Sequence, residues 1–167
     1  MFKRDVSELG VAFIAQHEGL RRKPYLDVGG LETIGVGHLL TRAEKTSRNI
    51  VINGQECLID QGLSVQQCHQ LLRQDLQNAV EIVNRSVHND LGQNEFDALV
   101  SFVFNVGGRA FRQSSLLRRV NFGMFGSVPA EFRKWIYVKG VKSEGLRRRR
   151  EAEAKLWFTG DYGLEEQ

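Results

Sequence analysis

Val6, Leu9 and Phe13 recur at helical spacing, with His17 one turn further on. The start signal is Asp5-Val6-Ser7-Glu8, a capping box with Asp5 as N-cap and Glu8 reaching back. Gly19 supplies a left-handed stop, which puts Glu18 near the last helical residue. The pattern then changes. Between residues 20 and 40, Pro24, Gly29, Gly30, Gly35 and Gly37 forbid a stable helix; Tyr25-Leu26-Asp27, Val28-Gly29-Gly30 and residues 31–36 read as a β-hairpin. Ile50-Val51-Ile52-Asn53-Gly54-Gln55 carries the Asn-Gly turn of a second hairpin. From Ser64 onward the chain reads as helical. The box Ser64-Val65-Gln66-Gln67 opens a long helix with one face at Val65, Cys68, Leu72, Leu76, Val80, Val83 and Val87. Asn94 caps a second helix over 95–106, apolar nearly all round and therefore central and buried, and Gly107-Gly108 stops it. Shorter helices are expected at about 115–122 and 129–138, and a last one from about 146 to 158, ended by Gly160. The order helix, small antiparallel sheet, helical lobe is an α+β pattern. It predicts one domain over residues 1–167 in two lobes: a small β-containing lobe at about 20–63, and a helical lobe from 1–19 and 64–167.

A chain of 167 residues can bury a core without disulfides or metals. With 41% hydrophobic and 26% charged residues it is neither disordered, collagen-like nor a coiled coil. No stretch approaches the roughly 20 apolar residues of a membrane span. The polar start at 1–10 and the short apolar run at 11–15 do not make a signal-peptide core, so no export address is expected. The net charge of +3 hides a polarity. Residues 109–155 hold thirteen Lys/Arg against four Asp/Glu, and the remainder holds ten against sixteen. Such a distribution expects a polyanion: nucleic acid, an acidic membrane or a cell-wall polymer. Cys57 and Cys68 are too few for a disulfide scaffold, and without paired Cys/His ligands they argue against structural zinc; free thiols are expected.

The chemistry-bearing stretch is Glu18, Asp27 and Thr33, followed by Ile34-Gly35-Val36-Gly37-His38. A three-residue loop at 28–30 sets Asp27 opposite Leu31 and makes Thr33 its diagonal neighbour on the same face, within reach of a shared water. A two-residue Gly-Gly turn would send Thr33 to the other face. Two carboxyls in different settings, one neutral and one ionised, are the equipment of glycoside hydrolysis. Glu18 suits the acid, being beside the negative end of a helix and backed by an apolar lobe; Asp27, on a polar hairpin, suits the ionised partner. The same three residue types within sixteen positions also occur in proteins with no such activity.

Glu18-Gly19-Leu20-Arg21, Tyr25-x-Asp27 and Thr33-Ile34-Gly35-Val36-Gly37-His38 together resemble the signature of the phage-type lysozymes, the endolysins of glycoside hydrolase family 24. The likeness extends to Gln74-Asp75-Leu76, Phe104-Asn105-Val106-Gly107, Gly145-Leu146 and Arg149-Arg150-Glu151, and is closer to the lysozymes of lambdoid-type phages. The resemblance implies a lysozyme-like fold and a muramidase that cleaves the β-1,4 bond between N-acetylmuramic acid and N-acetylglucosamine in peptidoglycan. It implies Glu18 as general acid, Asp27 as base and Thr33 as its helper in holding the attacking water. It also implies inversion, which needs carboxyls about 6.5–9.5 Å apart, and no metal or cofactor. Arg149 matches the arginine that pairs with the acid, although Arg147, Arg148, Arg149 and Arg150 also read as a solvated helix face. His38 and Asp75 match a structural ion pair. Leu39 and Phe104 match substrate-cleft positions and suit plain core equally; Trp135 and Trp157 read as core aromatics.

Delivery follows from the same resemblance: a monomer made in the host cytoplasm, reaching the periplasm through a holin-type membrane lesion and lysing the cell from within. The alternatives are a lytic transglycosylase, which needs the glutamate but no water-holding aspartate, and a non-catalytic peptidoglycan-binding module. No motif for specific nucleic-acid readout is present, although a basic lobe can bind such polymers without sequence preference.

Overall fold

Ser7, not Asp5, caps the first helix. Its Oγ accepts the N–H of Gly10 at 3.0 Å while its own proton goes to Asp97, so a residue ninety positions away selects the cap. Asp5 is occupied by the N–H of Val6 at 2.8 Å. The computed structural model describes residues 3–165. The first helix, α1 (Glu8–Glu18), is followed by β1 (Arg21–Leu26), β2 (Glu32–Gly35), β3 (His38–Leu39), α2 (Arg42–Ser47), β4 (Asn49–Ile52), β5 (Gln55–Leu58) and α3 (Val65–Asp75). Then come α4 (Gln77–Ser86), α5 (Gln93–Val106), α6 (Gly108–Gln113), α7 (Ser115–Asn121), α8 (Val128–Phe132), β6 (Tyr137–Val138), β7 (Val141–Lys142) and α9 (Glu144–Thr159). The α+β order expected from sequence is present. The described residues form two compact units, one of residues 14–75 and the other of residues 3–13 with 76–165.

In the first unit, β1, β2 and β3 form an antiparallel sheet and β4 pairs with β5. Tyr25 faces Thr33 and Leu26 faces Glu32, which leaves residues 28–30 as the odd-membered loop. Register slips between Arg21 and Tyr25, where Pro24 has no N–H to give. The second hairpin turns on Asn53 (φ 50°) and Gly54, and Gln74 holds it, accepting from Asn53 N–H at 2.8 Å and donating to Val51 O at 3.1 Å. Cys68, Leu71 and Leu72 of α3 are buried, as are Ile34, Ile50, Ile52, Ile59 and Leu63 of the strands and loops it packs on. The capping box at α3 is complete: Gln67 N–H donates to Ser64 Oγ at 3.0 Å, and Ser64 N–H to Gln67 Oε1 at 2.8 Å.

In the second unit α5 is the central element. Every residue from Phe96 to Val103 is buried, and α4, α6 and α9 pack on it. Phe102 meets Phe132 and Trp135 edge-on, each at 5.4 Å, and Trp157 meets Phe125 at 5.6 Å, so both tryptophans are seated in aromatic packing.

Three further expectations need correction. The single long helix after Ser64 is two, α3 and α4, which part at Leu76 because each half buries its apolar face in a different core. Asn94 does not cap α5. Glu95 caps it by accepting Gly92 N–H at 2.8 Å, whereas the Asn94 amide donates to the Leu156 and Trp157 carbonyls at the end of α9. The helix expected over 129–138 stops at Phe132. Tyr137 and Val138 pair instead with Lys142 and Val141 around a Lys139-Gly140 turn.

Candidate functional site

Glu18 is the final residue of α1. Gly19 closes the helix with φ +79°, a conformation a side chain would strain, and its N–H bonds Ala15 O at 3.0 Å. The Glu18 side chain is exposed to solvent.

Asp27 closes the hairpin on itself. Its N–H donates to Leu31 O at 2.9 Å, and its Oδ1 accepts from the N–H groups of Gly29 and Leu31, both at 2.8 Å. Gly30 N–H returns to Asp27 O at 2.9 Å. One carboxylate oxygen is thus pinned by backbone, and Oδ2 accepts no bond from the described residues. Thr33 is buried, and its Oγ1 donates to Leu31 O at 3.0 Å. Its proton is committed, so toward any further partner that hydroxyl is an acceptor. The register places Asp27 and Thr33 diagonally on one face of the hairpin.

Leu39 stands across from Thr33 in β3 and is about half exposed at 48%. One residue back, His38 is held between two carboxylates. Nδ1 lies 2.9 Å from Asp75 at the end of α3, and Nε2 lies 3.0 Å from Glu44 of α2. Burial alone would lower the His38 pKa, but the hydrogen bonds and charges of Asp75 and Glu44 outweigh it and push it up to about 9. Glu44 Oε2 also accepts Thr41 N–H at 2.8 Å, which makes it the capping-box residue of α2. Burial works against its charge, yet the Thr41 N–H and His38 hold its carboxyl below the usual range. The Glu44 role was missed in the sequence, although Thr41-Arg42-Ala43-Glu44 carries the signal.

In the helical unit, Phe104 is half-buried on α5. Arg149 of α9 is buried, with Nε 3.3 Å from Glu153 Oε1 and Nη2 donating to Ser101 O at 3.2 Å. Arg150 is fully buried, 2.9 Å from Glu153 Oε2, 2.6 Å from Asn105 Oδ1 and stacked over Phe102 at 5.0 Å. Arg147 and Arg148 are the solvated members of the run, both facing Glu144. Burial pushes the Glu153 carboxyl up, against the pull of the Arg150 and Arg149 charges. Glu153 was not singled out from sequence; its signal is the i+3 and i+4 spacing from the two arginines.

Cys57 and Cys68 are free thiols, and burial pushes the Cys68 thiol up. Among the described residues no cluster of His, Cys, Asp and Glu could hold a metal ion, and no helix is long and apolar enough to cross a membrane.

A family model described as phage lysozyme matches residues 15–153. An endolysin of Bacillus phage B103 is 36% identical over 159 residues, covering 94% of this chain and 55% of that protein. The chain therefore spans about half the length of that curated relative. Among solved structures, an endolysin from Escherichia coli O157:H7 phage FAHEc1 superposes with a TM-score of 0.79 at 32% identity, covering 96% of this chain and 98% of that one. The muramidase domain of SpmX from Asticaccaulis excentricus superposes with a TM-score of 0.75 at 36% identity, covering 93% and 99%.

Proposed function

The chain belongs to the phage lysozyme family, and from that premise we propose that it is an endolysin-type muramidase. It hydrolyses the β-1,4 bond between N-acetylmuramic acid and N-acetylglucosamine in peptidoglycan and serves to lyse a host cell. The observation that carries this reading is the hairpin around Asp27 and Thr33. Both residues spend one bonding position on their own loop and keep an acceptor on the same face. A water bridging Asp27 Oδ2 and Thr33 Oγ1 donates a proton to each and turns a lone pair outward. That is the orientation of a nucleophile about to lose a proton to Asp27.

Glu18 is the general acid that protonates the leaving glycosidic oxygen. Its exposure in the free protein makes the bound sugar the agent of its desolvation. Water attack from the face opposite the leaving group gives inversion. By resemblance to the family, Leu39 and Phe104 are assigned to apolar contacts with the glycan and Arg149 to the charge partner of the acid. The pair His38–Asp75 is structural. The protein acts as a monomer without metal or cofactor. It is made in the host cytoplasm and reaches the periplasmic face of the wall through a holin-type lesion.

Digestion of purified peptidoglycan with mass analysis of the products tests bond and mechanism together. Wild type should release reducing ends. Glu18→Gln should lower that release by at least about 100-fold with unchanged circular dichroism, the loss typical of a removed general acid. Full activity in Glu18→Gln would remove Glu18 from the role. Anhydro-sugar ends would make the protein a lytic transglycosylase, and binding with no cleavage would make it a non-catalytic module.

A further inference from the structure

The groove between α4 and α6, wholly within the helical unit, has no part in the proposed cleavage. Its volume is about 420 Å³, enough for a short peptide segment. Its shape depends on a close approach. A Cβ on Gly108 would stand 2.5 Å from Ile82 Cδ1 and 3.1 Å from Arg112 Nη1, so the bare glycine lets α6 approach α4 with neither side chain displaced. Arg85 on the α4 side is neutralised by Glu81 one turn earlier. Arg109 and Arg112 are one turn apart on α6, exposed, and paired with no carboxylate among the described residues. The groove thus offers two unbalanced guanidinium forks, the half-buried aliphatic Ile82, and the exposed amide of Asn78.

We propose that this groove binds the acidic peptide stem of peptidoglycan; the inference rests on the reading of the chain as a peptidoglycan hydrolase. The N-acetylated sugars of the glycan carry no cation-seeking group along most of their length. The stem sets the carboxylates of D-Glu and diaminopimelate, the latter with one ammonium, between two alanine methyls along an amide backbone. Each carboxylate fits a guanidinium fork, a methyl fits Ile82, and a backbone amide fits Asn78. A nucleic acid would carry charge to the same arginines, but no aromatic side chain lines the groove for a base to stack on.

The test compares wild type with the Arg109→Gln/Arg112→Gln double variant on two substrates: intact peptidoglycan, and the same glycan stripped of its stems by an amidase with the freed lactyl carboxylates blocked as methylamides. The expected result is a KM for intact peptidoglycan raised by about five-fold with kcat unchanged, as two exposed charge pairs would give, and no change on stripped glycan. The free tetrapeptide L-Ala-D-Glu-diaminopimelate-D-Ala should shift amide resonances of α4 and α6 in wild type and not in the variant. Equal effects on both substrates, no effect on either, or duplex DNA shifting those resonances where the tetrapeptide does not, would each overturn the stem assignment. A wild type that cleaves neither substrate would sink the hydrolase reading itself, an outcome distinct from cleavage of both with an indifferent variant.

Discussion

Each unit holds a charged triplet sheltered from solvent, centred on His38 in one and on Glu153 in the other, and these two are built on opposite principles. His38 lies between Asp75 and Glu44 with 14% of its side chain exposed and its partners more open still. Glu153 lies between Arg149 and Arg150 with no exposure at all. In the first triplet the central ion is the cation, and it can lose its charge near pH 9. In the second the cations are guanidinium groups, which stay charged at every accessible pH. The first is therefore a modest contributor that pH can switch off. The second is insensitive to alkali but costly to break, because two buried charges would lose their counter-ion.

The strongest way to break this contrast is Glu153→Ala. Removing one partner of a buried ion cluster costs about 3–5 kcal/mol, since the remaining charges have no water to turn to. Urea denaturation should show that loss at pH 7 and, within error, at pH 9. A loss below about 1 kcal/mol would mean that solvent reaches Arg149 and Arg150 and that the two triplets are alike.

The next effect belongs to His38. Its pKa is raised on folding, so the stabilisation is complete below the unfolded value of 6.5 and disappears as pH climbs through about 9. The stability difference between wild type and His38→Gln should therefore shrink between pH 6 and pH 10. The change is on the order of 2 kcal/mol once solvent screening of the partly exposed carboxylates is allowed for. A difference that stays flat over that range would show that His38 is neutral in the folded protein. Smaller again is Ser101→Ala, which removes the 2.8 Å bond from Ser101 Oγ to Glu153 while leaving both arginines in place; about 1–2 kcal/mol is expected from thermal melts.

The contrast also explains what could be read from the chain. Signals that close within a few residues were legible: the Ser64–Gln67 box, the Asn53-Gly54 turn, the Gly160 stop and the odd loop that aligns Asp27 with Thr33. Glu18, Asp27 and Thr33 all lie on such local features, but it is the resemblance to the family, not the spacing, that singles them out. What failed were choices made by distant partners. Asp97 recruits Ser7 and hands the α1 cap to it, and the end of α9 draws the Asn94 amide away from α5. The Tyr137–Lys142 hairpin shows a third kind of failure. Trp135-Ile136-Tyr137-Val138 is aromatic and β-branched, a strand-like composition at odds with the helix expected over 129–138. Glu153 was passed over because an acidic residue three or four positions from arginine is usually a surface pair.

Glu151 supplies the sharpest and smallest test, because it differs from Glu153 in little except burial. The two lie two positions apart on α9, and each has an arginine Nε at 2.9 Å: Arg133 for Glu151, Arg150 for Glu153. The Glu151 side chain is 44% exposed and its partner 50%, so water solvates either ion when the other is removed. Glu151→Ala should cost no more than about 0.5 kcal/mol, and the loss should vanish as salt is raised, since screening over a Debye length erases an exposed pair. The Glu153→Ala loss should hold through the same titration, because no counter-ion enters its site. If the two variants respond to salt alike, burial is not what separates them. The contrast between the two triplets would then have to be rebuilt on their hydrogen bonds, with Ser101 as the first residue to re-examine.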